Sequence, residues 1–287
     1  MAQIINTNLP SLNAQRNLST SQMSLSRALQ RLSSGLRVNS AKDDAAGLAV
    51  ATRMDSIIRG SMVAIRNAND GISLAQTMED SISKVGDALQ RMRELAIQAS
   101  NGTINSSDRA NLEVEFEQMQ YEINRVASGA QFNGVSLLDT AASVAKAGSQ
   151  FDFQIGANAS GANVLTISGT SFTAGTLSTY GDSTTATGLD ITTASTAQCA
   201  IGFIDSGIGQ VTTARAKWGA VQNRFDAIVS SLQIYTENQS AAKSRIMDAD
   251  FAAETASLTR GQILQQAGTA MLAQANSLSN NVLSLLK

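Results

Sequence analysis

The residues that could carry chemistry are few, and most sit at two short polar breaks. Asp43 and Asp44 close the stretch RVNSAKDD (37–44), and Asp248, Asp250 and Glu254 fall within SRIMDADFAAE (244–254). Carboxylates at this density can bind a hard divalent cation or form an acid–base pair. Their spacing is poor for a cation shell, however, and the chain contains no His, the commonest general base and a frequent metal ligand. The same side chains serve as N-caps and as solvated charge where helices break. With Asn39 they are therefore expected to form a hinge between domains. Cys199 is the only Cys, so no internal disulfide can form. With no His to act as its base, it reads as a small, partly buried side chain rather than a nucleophile. GANASGAN (156–163) lacks the strand–loop–helix setting and the Lys of a phosphate loop. Triplets such as Asn101-Gly102-Thr103 arise by chance in a chain this rich in Asn and Ser. No metal, no cofactor and no enzymatic constellation is expected.

Composition points the same way. The 287 residues carry a net charge of −2 from 21 basic and 23 acidic side chains, so no field of one sign draws in nucleic acid or an anionic surface. Hydrophobic residues make up 43% but aromatics only 4%, a palette suited to slender helix packing. Pro10 is the only Pro, which permits long uninterrupted helices. No apolar run reaches transmembrane length, so membrane insertion is not expected. The opening MAQIINTNLPSLNAQ has no basic region followed by an apolar one, so export would use a route other than a cleaved signal peptide.

The elements that position these residues are read from periodicity. Residues 9–36 form one amphipathic helix in which Leu18, Leu25 and Leu32 recur every seventh position, with Leu29 and Leu36 on the adjoining row. A second helix runs from about 44 to 99, with Ala75, Ile82, Leu89 and Ala96 at one heptad position and Met78, Val85, Met92 and Ala99 at the other. A third follows a turn at 101–108, capped by Ser107 or Asp108, and presents Leu112, Phe116, Met119, Ile123 and Val126. Phe151, Phe153 and Ile155 alternate with polar residues, and 164–167 is a second short strand. Helical spacing resumes near Thr196 and reaches about Lys243, with Val211, Trp218, Phe225 and Leu232 on one row. The terminal helix carries Leu264, Met271, Leu278 and Leu285, with Val282 beside them. The predicted fold is mainly α: an antiparallel hairpin of long coiled-coil helices with a small β-rich tip, its terminal helices paired as an inner core. Three regions are expected: 1–43 with 247–287 as the terminal-helix core, 44–167 with 194–246 as a helical rod bearing a β-hairpin region, and 168–193 as a short variable tip. Both seams need partners, so the terminal helices read as an assembly device. Apolar residues off the seam, Ile97 and the flanking Leu95 with Arg91 one turn earlier, read as an outer contact surface.

RLSSGLRVNSAKDDAAGLAVA (31–51), NANDGISLAQTMED (67–80), LQRMRELAIQASNGT (89–103), QFNGVSLL (131–138) and ILQQAGTAMLAQAN (263–276) resemble bacterial flagellin in order and position, as do MAQIINTN, QIGAN (154–158), GAVQNRF (219–225) and SRIMDADFAAE. The resemblance covers about 1–158 and 205–287. It implies a homopolymer: the subunit of the extracellular flagellar filament, exported unfolded by the flagellar export apparatus, held by a chaperone at its C-terminal segment and assembled at the filament tip. It also implies contact with hook-associated junction and cap proteins, and recognition by the flagellin-sensing Toll-like receptor at Gln90, Arg91, Leu95 and Glu115. Competing readings are a signalling coiled coil, which would need a membrane span or sensor domain, an enzyme, and the hook–filament junction protein, which shares terminal motifs.

Overall fold

A computed structural model gives the fold. It describes residues 7–138, 150–168, 172 and 189–284, with the side chains from 278 onward left out. The variable tip expected at 168–193 therefore lies largely outside the described residues. The chain divides into two compact units, Met1–Ser56 with Glu237–Lys287, and Ile57–Thr236.

In the first unit, α1 (Leu9–Ser34) starts at Asn8, whose side chain accepts the Ser11 N–H at 3.1 Å, and Pro10 occupies the first turn, where no intrahelical N–H bond is lost. Gly35 ends it in the left-handed region, φ 70°, and its N–H returns to the Arg31 carbonyl. The next residue, Leu36, bridges to Asp248. Around that bridge the Arg37 N–H donates to Met247 O at 2.6 Å and the Ala249 N–H to Gly35 O at 2.9 Å. α2 (Ala45–Ala99) starts at Asp44, which accepts the Gly47 N–H at 2.8 Å. α4 (Ala194–Met247) ends beside this break, and α5 (Phe251–Ser284) starts at Asp250, which accepts from the Ala252 and Ala253 N–H groups.

The second unit is built on α2, α4 and α3 (Ser106–Gly129). The cap of α3 is Asn105, which accepts the Asp108 N–H, rather than Ser107 or Asp108 itself. Gln222 donates to Glu79 at 3.0 Å and Arg93 to Asp205 at 2.6 Å, ties that fix α2 and α4 antiparallel. Both expected heptad rows of α2 are buried, together with Phe116 and Ile123 of α3 and Ile204, Val211, Trp218 and Phe225 of α4. Gly71 makes room for the Phe225 ring: a Cβ there would lie 2.5 Å from Cζ. Two antiparallel hairpins complete the unit. β1 (Gln131–Phe132) and β2 (Val135–Ser136) turn through Asn133 and Gly134, both with positive φ. β3 (Gln150–Gln154) and β4 (Val164–Ser168) pair Phe151 with Ile167 and Phe153 with Leu165.

One acidic side chain in this unit is held at a cost. Glu113 accepts the Ile191 N–H at 2.6 Å, while Gln120, two turns on, donates to Leu189 O. Burial, with added repulsion from Asp190 and Glu117, raises the Glu113 pKa. The folded state therefore binds this proton more tightly than the unfolded chain. That stabilisation is complete below the unfolded pKa and is lost as pH rises through the folded one. E113Q should accordingly melt higher than the parent at about pH 7, with the advantage vanishing by about pH 4. A melting difference that does not change with pH would show that Glu113 carries no such penalty.

Candidate assembly surface

The α1–α5 pair can be built residue by residue. Leu25 packs on Gly261, where an added Cβ would lie 3.1 Å from Leu25 Cδ1 and 3.3 Å from its Cβ. One heptad along, Leu18 packs on Gly268. Ser11 donates to Asn276 at 2.9 Å and Asn8 to Ala275 O at 2.9 Å near one end, and Arg31 meets Glu254 at 3.3 Å near the other. These contacts run antiparallel. Along α5 the covered positions are Glu254, Leu258, Gly261, Gln265, Gly268, Leu272 and Ala275, a heptad pattern of mostly small or polar residues. Leucine seated on glycine lets the two backbones approach closely but buries little apolar area.

This corrects the face expected for α5. Leu264 is 48% exposed and Met271 64%, so neither lies in the seam with α1. The physical reason is that close approach of the backbones is set by the row through Gly261, Gly268 and Ala275, with Leu258 and Leu272 beside it, which turns the row through Leu264 and Met271 outward. In α1, Leu18, Leu25 and Leu32 are half-buried, whereas Leu29 is exposed and leaves its place to the buried Ala28; Leu36, expected on the same helix, is half-buried in the bridge beyond its end. The side chains of Leu278 and Val282 are not described, and Leu285 lies outside the described residues.

The outer faces carry large apolar side chains. Leu9, Leu12 and Met23 of α1 and Phe251, Ile263, Leu264 and Met271 of α5 are exposed. Leu9, Arg16 and Met23 recur every seventh residue, and Leu12 and Arg27 fall on the same side of the helix. This is a second stripe on a helix whose first stripe is already used. Monomeric soluble domains rarely leave large side chains exposed at such regular spacing.

The polar breaks hold few free carboxylates. Asp43 accepts from the Asn39 and Ser40 N–H groups and from the Ser40 hydroxyl, and these bonds lower its pKa. Asn39 donates to the Ser34 hydroxyl. Asp248 accepts from Ser244 at 2.6 Å, and Asp44 and Asp250 are the caps described above. Among the described residues no group of three or more acidic or thiol side chains is placed to hold a metal ion.

The surface expected around Gln90, Arg91, Leu95, Ile97 and Glu115 is divided by the structure. Arg91 spans Glu94 and Glu115, at 2.8 and 2.7 Å, and the two hydrogen-bonded carboxylates raise its pKa. Gln90 lies instead along a groove between α2 and α4, lined by Asp87, Ile208, Val211 and Arg215, with a volume of about 360 Å³. Ile97 is exposed. Leu95 is not a surface residue: it is 1% exposed and belongs to the core. A two-helix seam would leave it flanking the contact, but α3 packs on that side of α2 and widens the buried arc. Cys199, expected to be partly buried, is exposed, because the covered row of α4 runs through Ala197, Ala200 and Ile204.

Comparison with known proteins finds matches at both ends of the chain. The bacterial flagellin N-terminal helical region matches residues 5–143, and the bacterial flagellin C-terminal helical region matches 201–286. The chain is 40% identical to Flagellin FlaB2 of Treponema pallidum over 99% of its own length and 100% of that protein. It is 43% identical to a flagellin of Halalkalibacterium halodurans, again over 99% of this chain and 100% of the other. A solved structure of a putative flagellar hook-associated protein from Vibrio parahaemolyticus covers 72% of this chain and 100% of its own, with a TM-score of 0.58. At 12% identity that likeness is one of fold alone.

Proposed function

Because this chain belongs to the bacterial flagellin family, structural proteins whose members build the extracellular flagellar filament that drives motility, we propose that its copies polymerise through the outer faces of α1 and α5. The observation that carries this reading is the set of large apolar side chains, flanked on α1 by Arg16 and Arg27, exposed on helices whose inner faces are already joined to each other. Many copies packed around an axis would bury those side chains, as no single copy can. The thin leucine-on-glycine seam supports a second part of the reading: the pair is marginal in a free subunit and becomes ordered on assembly. In this arrangement 1–43 with 247–287 forms the filament core, and the capped breaks at Asn39–Asp44 and Asp248–Asp250 act as the hinge.

The remaining partners follow from the same reading. A chain with one Cys has no internal disulfide to obstruct export in unfolded form through the flagellar apparatus for assembly at the tip. A chaperone would cover the apolar side of α5 before export, and hook-associated junction and cap proteins would meet the same terminal helices at the filament ends. Gln90, Arg91, Ile97 and Glu115 remain available to a neighbouring copy or to the flagellin-sensing Toll-like receptor, with Leu95 acting beneath them as support.

Deleting 255–287 tests the central part. The product should stay soluble, keep the melting transition of the Ile57–Thr236 unit and form no filaments on seeding. Filaments of normal length from this truncation, seen by electron microscopy, would refute the role given to α5.

A further inference from the structure

The described methionines range from buried, through partly covered (Met54, Met119 and Met247), to exposed, and the exposed ones are Met62 on α2, Met23 on α1 and Met271 on α5. Met78 and Met92 are buried in the core of the second unit. Met23 of α1 and Met271 of α5 are 59% and 64% exposed, and both point away from the α1–α5 seam. Met23 lies on the α1 stripe with Leu9, Leu12, Arg16 and Arg27, and Met271 lies one heptad beyond Leu264. An exposed thioether reacts with two-electron oxidants, whereas a buried one is shielded by its packing.

We propose that Met23 and Met271 are oxidation sites that set whether a free subunit can join the polymer. The inference rests on the assembly surface proposed above and adds a means of regulating it. With hydrogen peroxide as the oxygen donor, one oxygen atom passes to the sulfur lone pair. The thioether becomes a sulfoxide, the O–O bond breaks and the peroxide is reduced to water. The product keeps its length but gains a strong dipole with an acceptor oxygen. Burying that oxygen without a donor is unfavourable; Leu9, Leu12, Ile263 and Leu264 supply none, and at Met23 the donor one turn along its own stripe, Arg27, would have to give up its water to reach the new oxygen. Each oxidised copy therefore presents two polar defects to the face that assembly must dry.

The geometry also gives the process a direction. In a filament assembled through these faces both sulfurs are covered, so assembled copies resist the oxidant while unassembled ones do not. Methionine sulfoxide reductases, one for each sulfur epimer, restore the thioether: two electrons and two protons from a pair of thiols remove the oxygen as water and leave the thiols as a disulfide. The gate is therefore reversible and acts on the free pool. Cys199, which is exposed, reacts with the same oxidant and has to be removed from the readout.

The test is a competition within one sample. Subunits carrying C199S are oxidised with hydrogen peroxide until about half of Met23 and Met271 is sulfoxide, with Met78 and Met92 followed as buried references. Short filament seeds are added, and polymer and supernatant are separated by sedimentation and peptide-mapped by mass spectrometry. The expected result is that sulfoxide at Met23 and Met271 is depleted from new polymer by about tenfold relative to the starting pool, and that reductase treatment of the supernatant restores its ability to polymerise. Sulfoxides entering the polymer at their starting fraction would overturn the proposal. A parallel M23E/M271E subunit separates the two readings. If it is excluded from polymer while sulfoxides enter, the oxidation gate alone falls. If it polymerises like the parent, the outer faces of α1 and α5 are not the assembly surface and both readings fall.

Discussion

Phe225→Ala should destabilise the Ile57–Thr236 unit by about 3–5 kcal/mol, the range for emptying a buried aromatic site. Phe225 is fully buried, and its ring meets Phe153 edge-on with centroids 5.4 Å apart. Gly71 lies under the ring, so closely that three ring atoms would fall within 3.0 Å of a Cβ added there. One side chain thus joins α2, α4 and the β3–β4 hairpin, and removing it leaves three elements facing a void that none can fill alone. A backbone glycine cannot change rotamer to close the gap, so little relaxation is available. In a unit of this size the loss corresponds to a fall in melting temperature of about 10 °C. Thermal unfolding followed by circular dichroism measures it directly. A loss under about 1 kcal/mol would mean that the packing around Phe225 is loose.

Gly261→Val should abolish filament growth while leaving that unit intact. Local propensity and packing predict opposite signs here, which makes the variant informative. Valine is a better helix former than glycine by a few tenths of a kcal/mol, so propensity alone favours a more stable α5. Packing predicts the reverse. The new Cβ would already press on Leu25 Cδ1 and Cβ, and two further methyl groups must fit between the same backbones. The helices would have to separate, and the outer stripes would move with them. Polymer mass on seeding should fall more than tenfold, a change of about 1.4 kcal/mol or more per subunit added. The melting transition of the Ile57–Thr236 unit should not move, because Gly261 lies in the other unit. Normal growth would mean that the α1–α5 spacing is not what positions the assembly face.

How far the sequence could be read depended on what each helix packs against. The second half of α2 was legible because Met78, Ile82, Val85, Leu89 and Met92 are large, closely spaced and all buried. Bulk and burial coincide there. In α5 they separate: Gly261, Gly268 and Ala275 face α1, and Leu264 and Met271 face outward. A reading that weights apolar bulk finds the leucine side of such a contact, as in α1, and misses the glycine side, as in α5. The Gly-x6-Gly-x6-Ala spacing at 261, 268 and 275 was the available signal. Leu95 illustrates a different limit. Heptad arithmetic describes a contact between two helices, and the third helix that covers Leu95 belongs to the tertiary arrangement. The β1–β2 turn could have been found from Asn133-Gly134 alone, since that dipeptide supplies two positive φ angles in sequence. The carboxylates at the breaks were legible as caps because a helix start needs an acceptor within three residues, and Asp44 and Asp250 supply one.

The most direct test of assembly through the terminal helices is backbone hydrogen exchange on the free subunit and on the filament. Amides of α1 and α5 should exchange about a hundredfold more slowly in the filament, while core amides of α2 between Met78 and Leu95 are protected in both. Equal protection of α1 and α5 in the two states would contradict the account, because the terminal pair would then be complete before any second copy arrives.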